Sequence, residues 1–125
     1  MPIDHVNLPV SDLDASRLFY SAALEPLGFR LVYDGEGSLG FGRGDGGEDD
    51  EPIALRLGPR PNIRSHVAFT VQSRAEVDAF HEAALAAGGT DNGAPGERPR
   101  YHPGYYGAYV LDPDANNVEL VNHNR

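Results

Sequence analysis

The chain has 125 residues, of which 40% are apolar and 23% charged, and it carries a net charge of −9 with no cysteine. That composition suits one globular domain burying roughly two-thirds of its unfolded surface, and excludes disordered and fibrous classes. The acidic balance argues against a nucleic-acid partner, and no apolar run approaches the ~20 residues of a membrane span. Disulfides, thiolate metal sites and thiol nucleophiles are excluded together, since all three need cysteine.

In chain order, "MPIDHVNLPV" has no basic leader region and holds Asp4 and His5 in its first apolar segment. It reads as a strand rather than a signal peptide, and the chain as cytoplasmic. Its alternation puts His5 and Asn7 on one face and Val6 and Leu8 on the other. A helix is predicted over "SDLDASRLFYSAALEPLG", with Ser11 as cap and Asp14 in the first turn. Its buried stripe is Leu18, Phe19, Ala22 and Ala23, and Pro26 and Gly28 form the stop. The runs "FRLVY", "SLGFG" and "PIALRL" follow as strands, divided by "DGEG" and a solvated acidic loop at 44–51. The glycines of "DGEGSLGFGRGDGG" lack the Lys-Ser/Thr ending of a phosphate loop and read as hairpin turns. A boundary is set at "GPRPN", residues 58–62, where two prolines interrupt any strand.

The second half begins with the strand "HVAFTV". A cleaner helix follows, with a Ser73–Glu76 capping box, a Val77, Phe80, Ala84 stripe and a Gly88-Gly89 stop. Strand signals then weaken until Tyr105, after which "YYGAYVL" and "NNVELV" flank the turn "DPDA". Displacing the sequence by 61 positions lays "HVNLPV" on "HVAFTV", Phe19 on Phe80, Ala22-Ala23-Leu24 on Ala83-Ala84-Leu85, and Gly28 on Gly89. The chain is thus two copies of one unit. We expect a single α+β domain over 1–125, with two tandem βαβββ units at about 1–58 and 62–125 forming an open, barrel-like cup.

Glu119 lies in the apolar run "NNVELV", where an unpaired carboxylate is costly to bury. The repeat offers it partners. His5 and His66 occupy matching positions of the two first strands, and aligning the last strands sets Glu119 against Ala54. Two imidazoles and a carboxylate facing one cup suit a divalent first-row metal with open positions left for substrate. Polar residues satisfied by hydrogen bonds in a metal-free cup are the alternative. In "RPRYHPGYYGAY", alternation puts Tyr105, Gly107 and Tyr109 on one face and Tyr106, Ala108 and Val110 on the other. Tyr109 and His102 are the candidate catalytic side chains, the latter as a general base near neutral pH. Asn7, Arg56, Tyr101 and Tyr105 are candidate substrate contacts, while His81 and His123 read as surface.

The paired units, the opening "DHV", the second opening "SHVAF" and the close "DPDANNVEL" resemble the vicinal-oxygen-chelate superfamily of glyoxalase, bleomycin-resistance and extradiol-dioxygenase proteins. The resemblance spans essentially the whole chain. It implies that His5, His66 and Glu119 bind a divalent metal, Fe²⁺ first with Mn²⁺, Zn²⁺ or Ni²⁺ as alternatives, and that a small substrate binds through two neighbouring oxygens. It also implies a homodimer, in which such sites are often completed across the interface. Ala54 stands where glyoxalase I carries a fourth ligand, a glutamate, so the expectation moves toward three-ligand extradiol dioxygenases and manganese-dependent fosfomycin-resistance enzymes. Tyr109 sits where the extradiol enzymes place a tyrosine upstream of the glutamate. Dioxygenase-like chemistry is expected first, glyoxalase- or lyase-like chemistry second. The alternative is a metal-free protein that sequesters a small aromatic or cationic drug or metabolite.

Overall fold

The structure is a computed structural model describing residues 3–44, 52–60 and 64–124. Most of the expected acidic loop and the last two residues of the "GPRPN" boundary lie outside these described residues. The first half runs β1 (Val6–Val10), α1 (Leu13–Ala23), a short 3-10 turn (Glu25–Leu27), β2 (Arg30–Gly35), β3 (Ser38–Gly42) and β4 (Ile53–Leu57). The second runs β5 (His66–Thr70), α2 (Arg74–Ala86), β6 (Thr90–Glu97), β7 (Tyr106–Leu111) and β8 (Asn117–Asn122). The fold is therefore α+β with two βαβββ units, as the repeat predicts. No helix among the described residues is long and apolar enough to cross a membrane.

Each unit builds one open four-stranded sheet, ordered β1-β4-β3-β2 and β5-β8-β7-β6. The first strand of each unit lies parallel to its last, and the remaining pairs are antiparallel. The registers repeat as well. Asn7 pairs with Ala54, and Ala68, 61 positions later, pairs with Glu119. The aligned strands thus place Glu119 at the structural counterpart of Ala54.

The helices cover one face of each sheet and pack on each other, burying Leu8, Val10, Phe19, Phe41, Leu55, Val77, Phe80, Val110, Val118 and Leu120 in one core. Gly89 is required where the halves meet. A Cβ there would lie 2.6 Å from Phe19 of α1 and 2.5 Å from Val110 of β7. The opposite sheet faces stay open, and they carry the candidate site.

The first helix departs from expectation. Its cap is Asp12, whose side chain accepts from the Ala15 N–H at 3.0 Å, and not Ser11. Leu18 is 64% exposed, and Tyr20 takes its place in the core. Tyr20 is admitted because its hydroxyl donates to buried Asp112 at 2.6 Å, a partner no stripe calculation sees. In α2, Ser73 caps the Glu76 N–H as expected, but the Glu76 carboxylate accepts from the Gln72 N–H rather than from Ser73. β6 was weakly signalled because "TDNGAPGE" contains a proline and two glycines. It is an edge strand with two register shifts, where a missing N–H and local bulges are tolerated.

Candidate functional site

The turn between β7 and β8, "DPDAN", fixes where the site residues stand. Asp112 accepts from Tyr20, from the Asn116 amide at 3.0 Å, and from the backbone N–H groups of Asp114 and Asn116. Asp114 accepts from the Ser11 hydroxyl and N–H, at 2.5 and 2.9 Å, which ties the turn to the end of β1. Asn116 accepts from the Ser65 N–H at 3.0 Å, and the Asn117 N–H donates back to the Ser65 carbonyl at 2.8 Å. These three buried side chains lock the start of β5 to the start of β8. His66 immediately follows Ser65, and Glu119 is three residues beyond Asn116.

Glu119 is 2% exposed on the open face of the second sheet, and its burial is compensated at both oxygens. His66 Nε2 lies 3.0 Å from Oε1, and the Tyr105 hydroxyl donates to Oε2 in a short hydrogen bond. Gly107, on the neighbouring strand, makes the room: a Cβ there would stand 3.3 Å from both Oε2 and the Tyr105 ring. Tyr109 pairs with Glu119 across β7 and β8, and its ring centre is 6.1 Å from that of His66. Desolvation first, then interaction with the Tyr101 hydroxyl and the Glu119 charge, push the Tyr109 phenol up to about 12. Desolvation and the hydrogen bond to Glu119 raise Tyr105 further. Both are neutral hydroxyls at physiological pH, and the single O–H of Tyr105 is given to Glu119.

The wall continues outward. Tyr101 is 53% exposed, with its ring 4.8 Å from that of Tyr105. The Arg100 guanidinium stacks 4.9 Å above Tyr101 and donates to its hydroxyl, which lowers that phenol. Arg98 lies 5.5 Å over Tyr109, held by the carbonyls of Ala94 and Gly96. His102 bonds the Pro103 carbonyl through Nδ1 and His123 Nδ1 through Nε2 at 2.9 Å, and the Tyr105 ring packs edge-on against both imidazoles.

Of the residues singled out in the sequence, His66, Glu119, Tyr101, Tyr105 and Tyr109 come together, and His102 joins them through Tyr105. His5 does not. It precedes β1, its side chain is half exposed, and it bonds its neighbour Asp4 at 2.7 Å. Asn7 and Arg56 are exposed on the first sheet, apart from this cluster. Among the described residues no group of three or more His, Asp or Glu side chains gathers in a way that could hold a metal ion. Arg98, Arg100, Gly107 and His123 were not anticipated. Their only signal was proximity to the tyrosines in "RPRYHPGYYG" and, for His123, its place just after β8.

His66 and Glu119 nonetheless fit a divalent metal as half of a site. Two donors at about 2.1 Å from one ion, at right angles to each other, stand about 3.0 Å apart, and imidazole with carboxylate suits iron, manganese, nickel or zinc. The observed 3.0 Å between Nε2 and Oε1 matches that spacing.

The comparisons with known proteins define the family and the fold. The family model for the Glyoxalase/Bleomycin resistance protein/Dioxygenase superfamily matches residues 2–120, and the chain belongs to that superfamily. A glyoxalase/bleomycin resistance protein from Albidiferax ferrireducens T118 is 29% identical with a TM-score of 0.80, over 94% of this chain and 96% of that one. Bacillus subtilis YqjT, itself uncharacterized, is 27% identical over 94% of this chain and 95% of its own length. The fosfomycin resistance protein FosX of Listeria monocytogenes shares the fold at 22% identity and a TM-score of 0.68, covering 94% of this chain and 86% of that one. Its structure was determined with Mn(II) and 1S,2S-dihydroxypropylphosphonic acid.

Proposed function

We propose that this chain is a divalent-metal-dependent enzyme acting on a small substrate through two neighbouring oxygens, with His66, Glu119 and His5 as the metal ligands. The observation that carries the reading is a buried carboxylate, on an otherwise open sheet face, whose Oε1 stands 3.0 Å from an exposed imidazole nitrogen. His5 occupies the repeat-related position, just before β1, but lies apart from this pair, so the third ligand would come from a second copy of the chain in a homodimer. A metal held there would act as a Lewis acid toward paired substrate oxygens. Tyr109, neutral up to about pH 12, would donate a hydrogen bond to one of those oxygens. The Tyr101 and Tyr105 rings would flank a flat substrate, and His102, oriented by the Pro103 carbonyl and by His123, is the nearby base. Dioxygenase-like chemistry with Fe²⁺ is the first choice, and glyoxalase- or lyase-like chemistry with Mn²⁺, Zn²⁺ or Ni²⁺ the second.

Two experiments test this. Protein reloaded with Fe²⁺ should consume oxygen with catechols; activity found only with Mn²⁺, Zn²⁺ or Ni²⁺ would move the assignment to isomerase or lyase chemistry. In the second, His5→Ala and Glu119→Ala chains are refolded together. Each alone should bind no metal, and the mixture should regain about a quarter of the parent's sites, because only mixed dimers hold one intact set. No recovery on mixing would mean that the ligands come from one chain.

A metal-free binder of small aromatic molecules is the second reading, favoured by the exposed Tyr101 ring beside Tyr105. Arg98 and Arg100, lying against these tyrosines, suit a neutral or anionic ring better than a cation.

A further inference from the structure

Glu119 has two oxygens, and the structure divides them. Oε1 faces His66 Nε2 at 3.0 Å, and Oε2 receives the Tyr105 hydroxyl. A glutamate side chain has three rotatable torsions and chooses among staggered positions unless something fixes its end. On this face the end of Glu119 is fixed by these two bonds, His66 being half exposed and Gly107 adding no side chain beside Oε2.

Tyr105, by contrast, is held from several sides. Its N–H donates to the His102 carbonyl at 3.2 Å, and its carbonyl accepts from the Arg98 N–H at 2.7 Å. Its ring is packed by Tyr101, His102 and His123. The hydroxyl is therefore a fixed donor to the buried Glu119 carboxylate.

We propose that Tyr105 is the positioning residue of the metal centre: by holding Oε2 of Glu119, it keeps Oε1 directed at His66 as the metal-binding oxygen. This rests on the metal reading above. A carboxylate bound through one oxygen leaves the other free to accept a hydrogen bond, so Tyr105 and a metal ion do not compete for the same lone pair. Outer hydrogen bonds of this kind typically contribute 10- to 100-fold to metal affinity. The assignment changes the expectation for Tyr105, whose hydroxyl serves Glu119 instead of a substrate.

The test is a Mn²⁺ titration of chelator-treated protein followed by calorimetry, with unfolding midpoints recorded for each variant. Tyr105→Phe keeps the ring and deletes the donor, and should bind Mn²⁺ about 10- to 100-fold more weakly than the parent. Tyr106→Phe deletes a comparable phenol–carboxylate bond on the helix side of β7, to Asp78 of α2 at 2.6 Å, and should keep the parent's affinity even if less stable. Equal or tighter binding by Tyr105→Phe would overturn the positioning role while leaving the metal reading intact. An equal loss in Tyr106→Phe would also overturn it, by tracing the effect to general destabilisation. A parent that takes up no Mn²⁺, Fe²⁺, Zn²⁺ or Ni²⁺ would overturn the metal reading and the positioning role together.

Discussion

The two sheets have the same order, the same parallel and antiparallel pairs and the same register, yet their open faces differ in chemistry. On the first, Ala54 sits between Asn7 and Gly40; at the equivalent place on the second, Glu119 sits between Ala68 and Tyr109. The turn entering the last strand of the second sheet is a buried knot of Asp112, Asp114 and Asn116 that reaches into both halves. Backbone architecture thus comes from what the copies share, and the candidate chemistry from a few side chains in which they differ. One copy holds a carboxylate and its tyrosines in fixed positions, while the other presents a small alanine at the same place.

Because the two faces differ in this way, filling the space beside Glu119 should be far more damaging than enlarging Ala54 on the first sheet. Gly107→Val places methyl groups where Oε2 and the Tyr105 ring already approach a Cβ position to 3.3 Å. It should weaken metal binding at least as much as losing an outer hydrogen bond, about 10- to 100-fold. Ala54→Val, on the half-buried open face of the first sheet, should leave metal affinity unchanged. Metal titration of both variants checks the contrast, and equal losses would break it.

The knot sharpens the comparison through stability. Tyr20→Phe removes a donor from a fully buried carboxylate and should cost about 1–3 kcal/mol in denaturant unfolding. It should also change the pH dependence. Burial, followed by the charge of Asp112, raises the Tyr20 phenol well above its ordinary value. Above about pH 10 the unfolded chain releases this proton while the folded chain keeps it, so the native state binds more protons and stability falls as pH rises. Below that range the group contributes no slope. The phenylalanine variant should lose this part of the alkaline decline, which unfolding curves carried from neutral pH to above about pH 10 would resolve.

The smallest effect concerns Ala115, whose φ of 67° is left-handed. Ala115→Gly relieves that conformation but adds freedom to the unfolded chain, for a net gain of about 0.5 kcal/mol. A loss of stability would mean that the turn is not strained at this residue.

The fold was legible because apolar periodicity survived in both copies: "HVNLPV" and "HVAFTV" became the matching first strands, and Phe19 and Phe80 the matching core residues of the helices. Glu119 was legible as a problem, a carboxylate in an apolar run, before its partners were visible. The partners were only half legible. His66 and Tyr105 meet it through strand pairing and a loop connection, whereas the separation of His5 depends on how the two sheets sit in space, which no repeat offset encodes. Tyr20 was missed because its burial depends on an aspartate 92 positions away. β6 was obscured because an edge strand tolerates proline and glycine. His123 was read as surface because it follows the last strand, and its partner His102 lies 21 positions upstream.

The most direct measurement is the metal content of protein purified without a histidine tag or chelator, taken by mass spectrometry for the parent, His66→Ala and Glu119→Ala. The account predicts near-stoichiometric iron, manganese, nickel or zinc in the parent and its loss in both variants. A folded parent that is empty and takes up none of these ions when they are added would contradict it, and the tyrosine-lined face would then be studied as a ligand trap.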